Sequence, residues 1–276
     1  MRYKKKAVSS IGSVGQVMLA LLLGFLAYGL SIYFYVSAQS TRQPTTQEME
    51  QLILNNTFKA NLGIIFDLDG TLWDSSYQVG IAWNEVFKRN GVGIELTPEN
   101  MTVMMGRTVP EIGEALLPFI EQPRRRDILR QCCAEENRRL NAYGGSLYPG
   151  VIEVLQELSL KYPLFIVSNC EDGYIQSFLN YHHTNRLIKD IECIGRTGLE
   201  KAGNIKLIIE RNGLEKAVYI GDTLRDMHSA HEAGIPFIHA AYGFGSAPEA
   251  EYSINCFSEL PLLAESILFG REEHNG

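Results

Sequence analysis

The stretch Ile64-Ile65-Phe66-Asp67-Leu68-Asp69-Gly70-Thr71-Leu72-Trp73-Asp74-Ser75 decides how this chain is read. An apolar, β-prone run stops at two carboxylates placed two residues apart, and a Gly-Thr turn follows. A short apolar run closed by turn residues predicts a buried strand. In a parallel α/β sheet, ligands bind beyond the carboxyl ends of the strands. Asp67 is therefore expected where a strand stops and a site begins, with Asp69 reaching back over the turn. A plain strand and Asp-Gly turn is the competing explanation, because both residue types are ordinary in turns. The rest of the chain decides between them by supplying partners or failing to.

It supplies them in order. Leu147-Tyr148-Pro149-Gly150 leads into a helix ending at Lys161. Strands are then predicted at 164–167, 191–194, 217–220 and 236–240, alternating with helices at 173–180, 204–211 and 224–233. Such alternation predicts an α/β fold with a doubly wound parallel (Rossmann-like) sheet. Three of its apolar strands end in Asp67, Ser168 and Asp222. If those strands are neighbours, the three side chains converge at one sheet edge.

Asp222 sits in Ile220-Gly221-Asp222-Thr223-Leu224-Arg225-Asp226. A helix beginning near Thr223 carries Asp226 to the same side as Asp222. Like charges 4 Å apart repel by about 4 kcal/mol at an effective dielectric near 20. Four converging acids (Asp67, Asp69, Asp222, Asp226) therefore call for a cation, and all-oxygen ligands with room for water and phosphate suit Mg2+. Alternatively, Asp222 merely caps the next helix. Ser168-Asn169 offers a hydroxyl and backbone N–H groups at a helix start, a natural anion site.

Together these pieces resemble the haloacid dehalogenase (HAD) superfamily of aspartyl-phosphate-forming hydrolases, in its phosphoglycolate-phosphatase-like branch. The resemblance implies a lysine upstream of the Asp222 strand. Gly198-Leu199-Glu200-Lys201-Ala202-Gly203-Asn204 matches the third motif, with Ala202 where a proline is familiar. Lys206, one turn into the helix, is the other candidate. The resemblance further implies that Asp67 attacks phosphorus and that Asp69 protonates the leaving oxygen, then activates water. Mg2+ would be held by Asp67, the Asp69 carbonyl and Asp222, with Asp226 ligating or orienting water. The expected substrate is a small phosphorylated metabolite, 2-phosphoglycolate or a sugar phosphate. A sugar-phosphate mutase of the same superfamily is the nearest alternative, although Thr71 stands where such mutases often carry valine. A non-catalytic, membrane-tethered phospho-ligand binding domain is the alternative of another class.

Between Ser75 and Leu147 the pattern is helical, with Val79, Ala82, Trp83, Val86 and Phe87 at helical spacing before Asn90-Gly91. Residues 76–147 are expected to form an all-helical cap, and 63–75 with 148–276 the HAD-like core. Substrate contacts are expected from Thr71, Trp73, Arg107 and Asn169, with Tyr77 and Thr108 as further candidates. Arg124-Arg125-Arg126, interleaved downstream with acids, reads as a solvated helix face.

The N-terminus has a different character. Ala7 to Thr41 contains no charged residue, and residues 17–36 are long and apolar enough for a membrane-spanning helix. Arg2 and Lys4–Lys6 precede it. Residues 1–40 are thus expected to be a single-pass anchor, followed by a polar linker over 41–62. Positive-inside reasoning puts the catalytic part outside the cytoplasm. A signal peptide cut after Val36-Ser37-Ala38, or a cytoplasmic protein starting at Met49, are the alternatives.

The chain carries a formal charge of -7. Residues 1–48 hold five bases and one acid, which leaves 20 bases against 31 acids beyond them. So acidic a globular part argues against nucleic acid as a partner. Five cysteines without a CxxC pair show no zinc spacing and suit a reducing compartment.

Overall fold

The computed structural model describes residue 45 and residues 61–270. The expected anchor and most of the linker lie outside the described residues. Among those described, no helix is long and apolar enough to cross a membrane.

The first strand, β1 (Leu62–Phe66), is completely buried and ends one residue before Asp67. It lies between β4 (Leu164–Ser168) and β6 (Lys216–Gly221), pairing in parallel with both. With β5 (Ile188–Cys193), β7 (Phe237–Ala240) and β8 (Tyr252–Ile254), they form a six-stranded sheet in the order β5-β4-β1-β6-β7-β8. Every pairing is parallel. After β5 the chain returns to the other side of β1, so strand order reverses there. In a doubly wound sheet that reversal is where a ligand crevice opens.

Both faces of the sheet are covered, which is why its central strands are apolar without alternation. On one face Ile64, Phe66, Ile166 and Ile220 pack with α5 (Val151–Ser159) and α10 (Leu260–Phe269). On the other, Ile65, Phe165, Val167 and Tyr219 pack on α8 (Lys201–Asn212) and α9 (Leu224–Ala233). The strand at 188–193 starts three residues before the predicted one. Lys189 and Asp190 interrupt its apolar run, a tolerable pattern because this is an edge strand. The final strand and helix, β8 and α10, were not anticipated from sequence. β8 has only three residues and so gives almost no period to read.

Between β1 and β4 the chain forms α1 (Ser76–Arg89), α2 (Pro98–Met104), α3 (Val109–Leu116) and α4 (Arg124–Tyr143). The stretches entering and leaving this helical insert pair with each other. β2 (Trp73–Asp74) lies antiparallel to β3 (Ser146–Leu147), a two-residue ribbon at the base of the insert. Several polar contacts join the insert to the sheet side, among them Asn137 Nδ2 to the Asp172 carbonyl at 3.0 Å and Asn141 Nδ2 to Ser177 Oγ at 2.7 Å. Arg225 on α9 donates through both terminal nitrogens to Glu111 on α3, at 2.8 and 2.9 Å. Asn169 Nδ2 donates to the Gly106 carbonyl at 3.0 Å.

Candidate active site

The carboxyl edges of β4, β1 and β6 carry Ser168, Asp67 and Asp222 side by side. Asp67 N donates to the Ile220 carbonyl at 2.8 Å, which locks the first acid to the neighbouring strand. Thr223 then N-caps α9 in a capping box with Asp226. The Thr223 amide and hydroxyl donate to Asp226 Oδ2 at 3.0 and 2.6 Å, a local motif that aims this acid back at the sheet edge. Carboxylate oxygens of Asp67, Asp222 and Asp226 lie within 4.8 Å of one another, and all three residues are buried.

Lys201, the first residue of α8, is only 3% exposed. Its Nζ donates to Asp67 Oδ1 at 2.9 Å and to Asp226 Oδ1 at 2.5 Å. The competing Lys206 faces solvent and, among the described residues, pairs with Glu232 at 3.6 Å. Asp222 is held from another side, its Oδ2 accepting from the amides of Phe244 and Gly245 at 2.8 and 2.9 Å. Tyr242-Gly243-Phe244-Gly245 is therefore part of the site. Gly243 is required by space: a Cβ there would meet Asp222 Cβ and the Gly70 carbonyl, both at 2.3 Å.

The electrostatics of this cluster are unbalanced. Burial drives the Asp67 carboxyl well above its ordinary range, with Lys201 pulling against it. Burial and neighbouring Asp226 push Asp222 up to about 7, against the pull of the two amides. Burial works against the Lys201 charge, but Asp226 and Asp67 outweigh it and hold the ammonium firmly protonated. Three buried acids share one lysine, so the cluster retains an affinity for further positive charge. The bonds above leave Asp67 Oδ2 and Asp222 Oδ1 free, whereas both oxygens of Asp226 are engaged. This donor set fits a divalent cation held by Asp67 and Asp222, with Asp226 orienting rather than binding.

The Asp69 side chain stands apart from these acids. Its Oδ1 accepts from Ser75 Oγ at 2.7 Å, Tyr174 OH at 2.9 Å and Trp73 Nε1 at 2.9 Å. Burial raises its pKa to about 6 despite those three donors. None of these bonds engages Oδ2. The result is a buried acid able to exchange a proton near neutral pH.

Trp73, expected to touch substrate, is instead fully buried against Tyr174, Phe178 and His182. Its bulk needs core packing, and its N–H serves Asp69. Tyr77 is 61% exposed and does not line the cavity above Asp69, while Thr108 caps α3 through Glu111. Thr71 is completely buried, its hydroxyl without a hydrogen-bond partner among the described residues. Arg107, Ser168 and Asn169 do line that cavity.

Sequence reasoning missed Ser75, Tyr174 and Glu136. The last was visible in principle: Ile128, Cys132, Glu136 and Leu140 recur at i+4 on α4 and are all buried, so one acid interrupts an apolar stripe. Tyr174 has no such signal, since only the fold brings it to Asp69 across 105 positions.

The comparisons with known proteins agree with this geometry. The profile of haloacid dehalogenase-like hydrolases matches residues 64–240. A phosphoglycolate phosphatase of Rhodobacter capsulatus is 29% identical over 192 residues, covering 67% of this chain and 86% of its own length. One from Haemophilus influenzae is 25% identical over 206 residues, covering 69% and 89%. Among solved structures, a haloacid dehalogenase-like hydrolase of Bacteroides fragilis superposes with a TM-score of 0.64 at 24% identity, covering 73% of this chain and 100% of the other. CbbY of Rhodobacter sphaeroides, solved with phosphate, superposes with a TM-score of 0.63 at 21% identity, covering 73% and 97%. With the sheet edge, the acids and the lysine in place, the chain belongs to the haloacid dehalogenase-like hydrolases and is a phosphatase resembling their phosphoglycolate-phosphatase branch.

Proposed function

We propose that this protein is a Mg2+-dependent phosphomonoester hydrolase working through an aspartyl-phosphate on a small phosphorylated metabolite. The observation that carries this is the pairing of two unlike acids two residues apart. Asp67 is ion-paired to Lys201 and faces the acidic cluster, whereas Asp69 is a buried acid poised near pH 6 beside a cavity. The first suits a nucleophile and the second an acid–base catalyst.

The substrate phosphoryl group would sit at the edge of β1, β4 and β6. Asp67 attacks phosphorus in line while Asp69 donates its proton to the departing oxygen. Having lost that proton, Asp69 takes one from the water that cleaves the aspartyl-phosphate. Ser168 and Lys201 supply a hydroxyl and a positive charge to the phosphoryl oxygens, where charge spreads in the transition state. Asp67, the Asp69 carbonyl and Asp222 would hold Mg2+, which, when bound, neutralises charge on the transferring group.

The curated relatives are named for phosphoglycolate. A CbbY neighbour, with a TM-score of 0.62, was solved with xylulose-1,5-bisphosphate. Both suggest small phosphorylated metabolites, and we carry that class over to this chain. We further propose that residues 17–36 tether the enzyme to a membrane. Membrane fractionation of the full-length chain against one starting at Met49 tests this, and equal solubility of the two would sink it.

The functional test is phosphate release by the full-length protein across a panel of phosphorylated metabolites, with and without Mg2+, beside Asp67→Asn. Mg2+-dependent release that disappears in the variant is expected. Tight binding of phosphorylated ligands without any release would favour a binding domain instead. Release of no phosphate alongside interconversion of sugar phosphates would favour a mutase.

A further inference from the structure

We infer that Glu136, on the helical insert, is a specificity-determining residue that selects phosphomonoesters whose leaving group is uncharged and carries a hydroxyl. This rests on the phosphatase reading above and narrows its substrate class.

A cavity of about 50 Å3 lies between the sheet edge and the insert. Asp69, Ser168 and Asn169 line it from the sheet side, and Trp83, Met101, Met104 and Ile112 from the insert. The acid that protonates a leaving oxygen must lie within hydrogen-bond reach of it. Whatever is attached to that oxygen therefore occupies the cavity that Asp69 lines. By volume the space holds about three or four water-sized groups, enough for a short-chain alcohol.

Glu136 also lines this cavity and is only 7% exposed. Its Oε2 accepts from Trp83 Nε1 at 2.6 Å. No hydrogen bond or ion pair engages Oε1 among the described residues. The neighbouring acid on α4, Glu135, takes both nearby arginines, Arg89 and Arg138, at the surface. A buried carboxyl without a cation is unfavourable in an apolar wall, and burial here pushes Glu136 up to about 8. A Leu or Gln would sit there at lower cost, so stability does not explain this residue. Hydrogen bonding to a ligand does, because a neutral carboxyl both donates and accepts and an alcohol hydroxyl matches both roles.

An anionic leaving group fits this wall poorly. Its charge would leave water for a largely apolar space that also borders Glu171. The cation lining the cavity, Arg107, is solvent-exposed, and its charge is correspondingly screened.

The test uses the full-length protein with Mg2+ and three esters of similar size: glycerol 1-phosphate, propyl phosphate and 2-phosphoglycolate. kcat/KM is measured for wild type, Glu136→Gln and the double variant Glu136→Leu/Trp83→Phe, which leaves no orphaned indole donor. Circular dichroism confirms that each is folded. We expect wild type to favour glycerol 1-phosphate over the other two. In the double variant the ratio of glycerol 1-phosphate to propyl phosphate should fall about tenfold or more. Ratios that do not move, or a wild-type preference for 2-phosphoglycolate, would overturn the assignment of Glu136 while leaving the phosphatase reading intact. No turnover of any ester by wild type would instead sink that reading, and the inference with it.

Discussion

Trp73→Phe isolates a single hydrogen bond at the acid–base residue. Phenylalanine keeps an aromatic ring against Tyr174 and Phe178, so the main loss is the N–H that Trp73 donates to Asp69 Oδ1. That donor favours the ionised carboxylate, as do Ser75 and Tyr174. A hydrogen bond to a charged group contributes about 1.5 kcal/mol at the low end, and one pKa unit corresponds to about 1.4 kcal/mol. Asp69, already raised to about 6 by burial, should therefore rise by about one further unit in the variant. The sign follows from its role. Phosphoryl transfer needs Asp69 protonated, so kcat/KM declines as pH rises through its pKa, and the variant's decline should begin about one unit higher. Measuring kcat/KM from pH 5 to 9 for both proteins on one substrate cancels the substrate's own ionisation near pH 6. A profile that stays in place, or moves to lower pH, in a folded variant would refute the assignment of Asp69 as the proton donor.

Four further outcomes follow from the same geometry. Lys201→Met leaves Asp67 and Asp226 buried without their cation, at a cost of about 3–5 kcal/mol; thermal melts should show a large drop, and a bigger rise on adding Mg2+ than in wild type. Gly243→Ala drives a methyl into Asp222, so isothermal titration should show Mg2+ affinity reduced about 10- to 100-fold, as for other residues that orient ligands. The Arg225–Glu111 pair is about half exposed, which limits its stability contribution to about 0–1 kcal/mol; Arg225→Gln should leave the melting temperature within about 4 °C of wild type while raising KM through a looser insert. Glu136 has a folded pKa of about 8 against an ordinary 4.5. Its stabilising effect is thus complete below about pH 4.5 and is lost as pH rises through 8. Glu136→Gln should therefore gain on wild type in denaturant melts between pH 5 and 8, by about 3 kcal/mol at pH 7; a gap that does not grow with pH would contradict the burial argument.

Much of the site could be read from the chain because its parts are local. Asp67 follows an apolar run, and Thr223 and Asp226 make a capping box within four residues. Lys201 opens a helix just after a Gly-containing loop. The acids announce themselves by spacing, whereas Lys201 was set apart from Lys206 by the family resemblance; the alternation of strands and helices then puts Asp67, Ser168 and Asp222 on one edge. What could not be read depends on contacts distant in sequence. Tyr174 reaches Asp69 only once α6 (Tyr174–Tyr181) packs beside the turn after β1. The amides of Phe244 and Gly245 find Asp222 only after β7 is in place. Trp73 was misjudged for a related reason. Proximity to the motif suggested a substrate contact, whereas the tertiary structure turns its ring into the core and leaves only its N–H to the site.

The most direct test of the central claim is chemical trapping of the phosphoenzyme. Full-length protein is mixed with substrate and Mg2+, quenched, and its acyl phosphate reduced or captured with hydroxylamine before peptide mapping. The modified residue should be Asp67, and Asp67→Asn should carry no label. A modification at any other residue, or undiminished turnover by Asp67→Asn, would contradict the account.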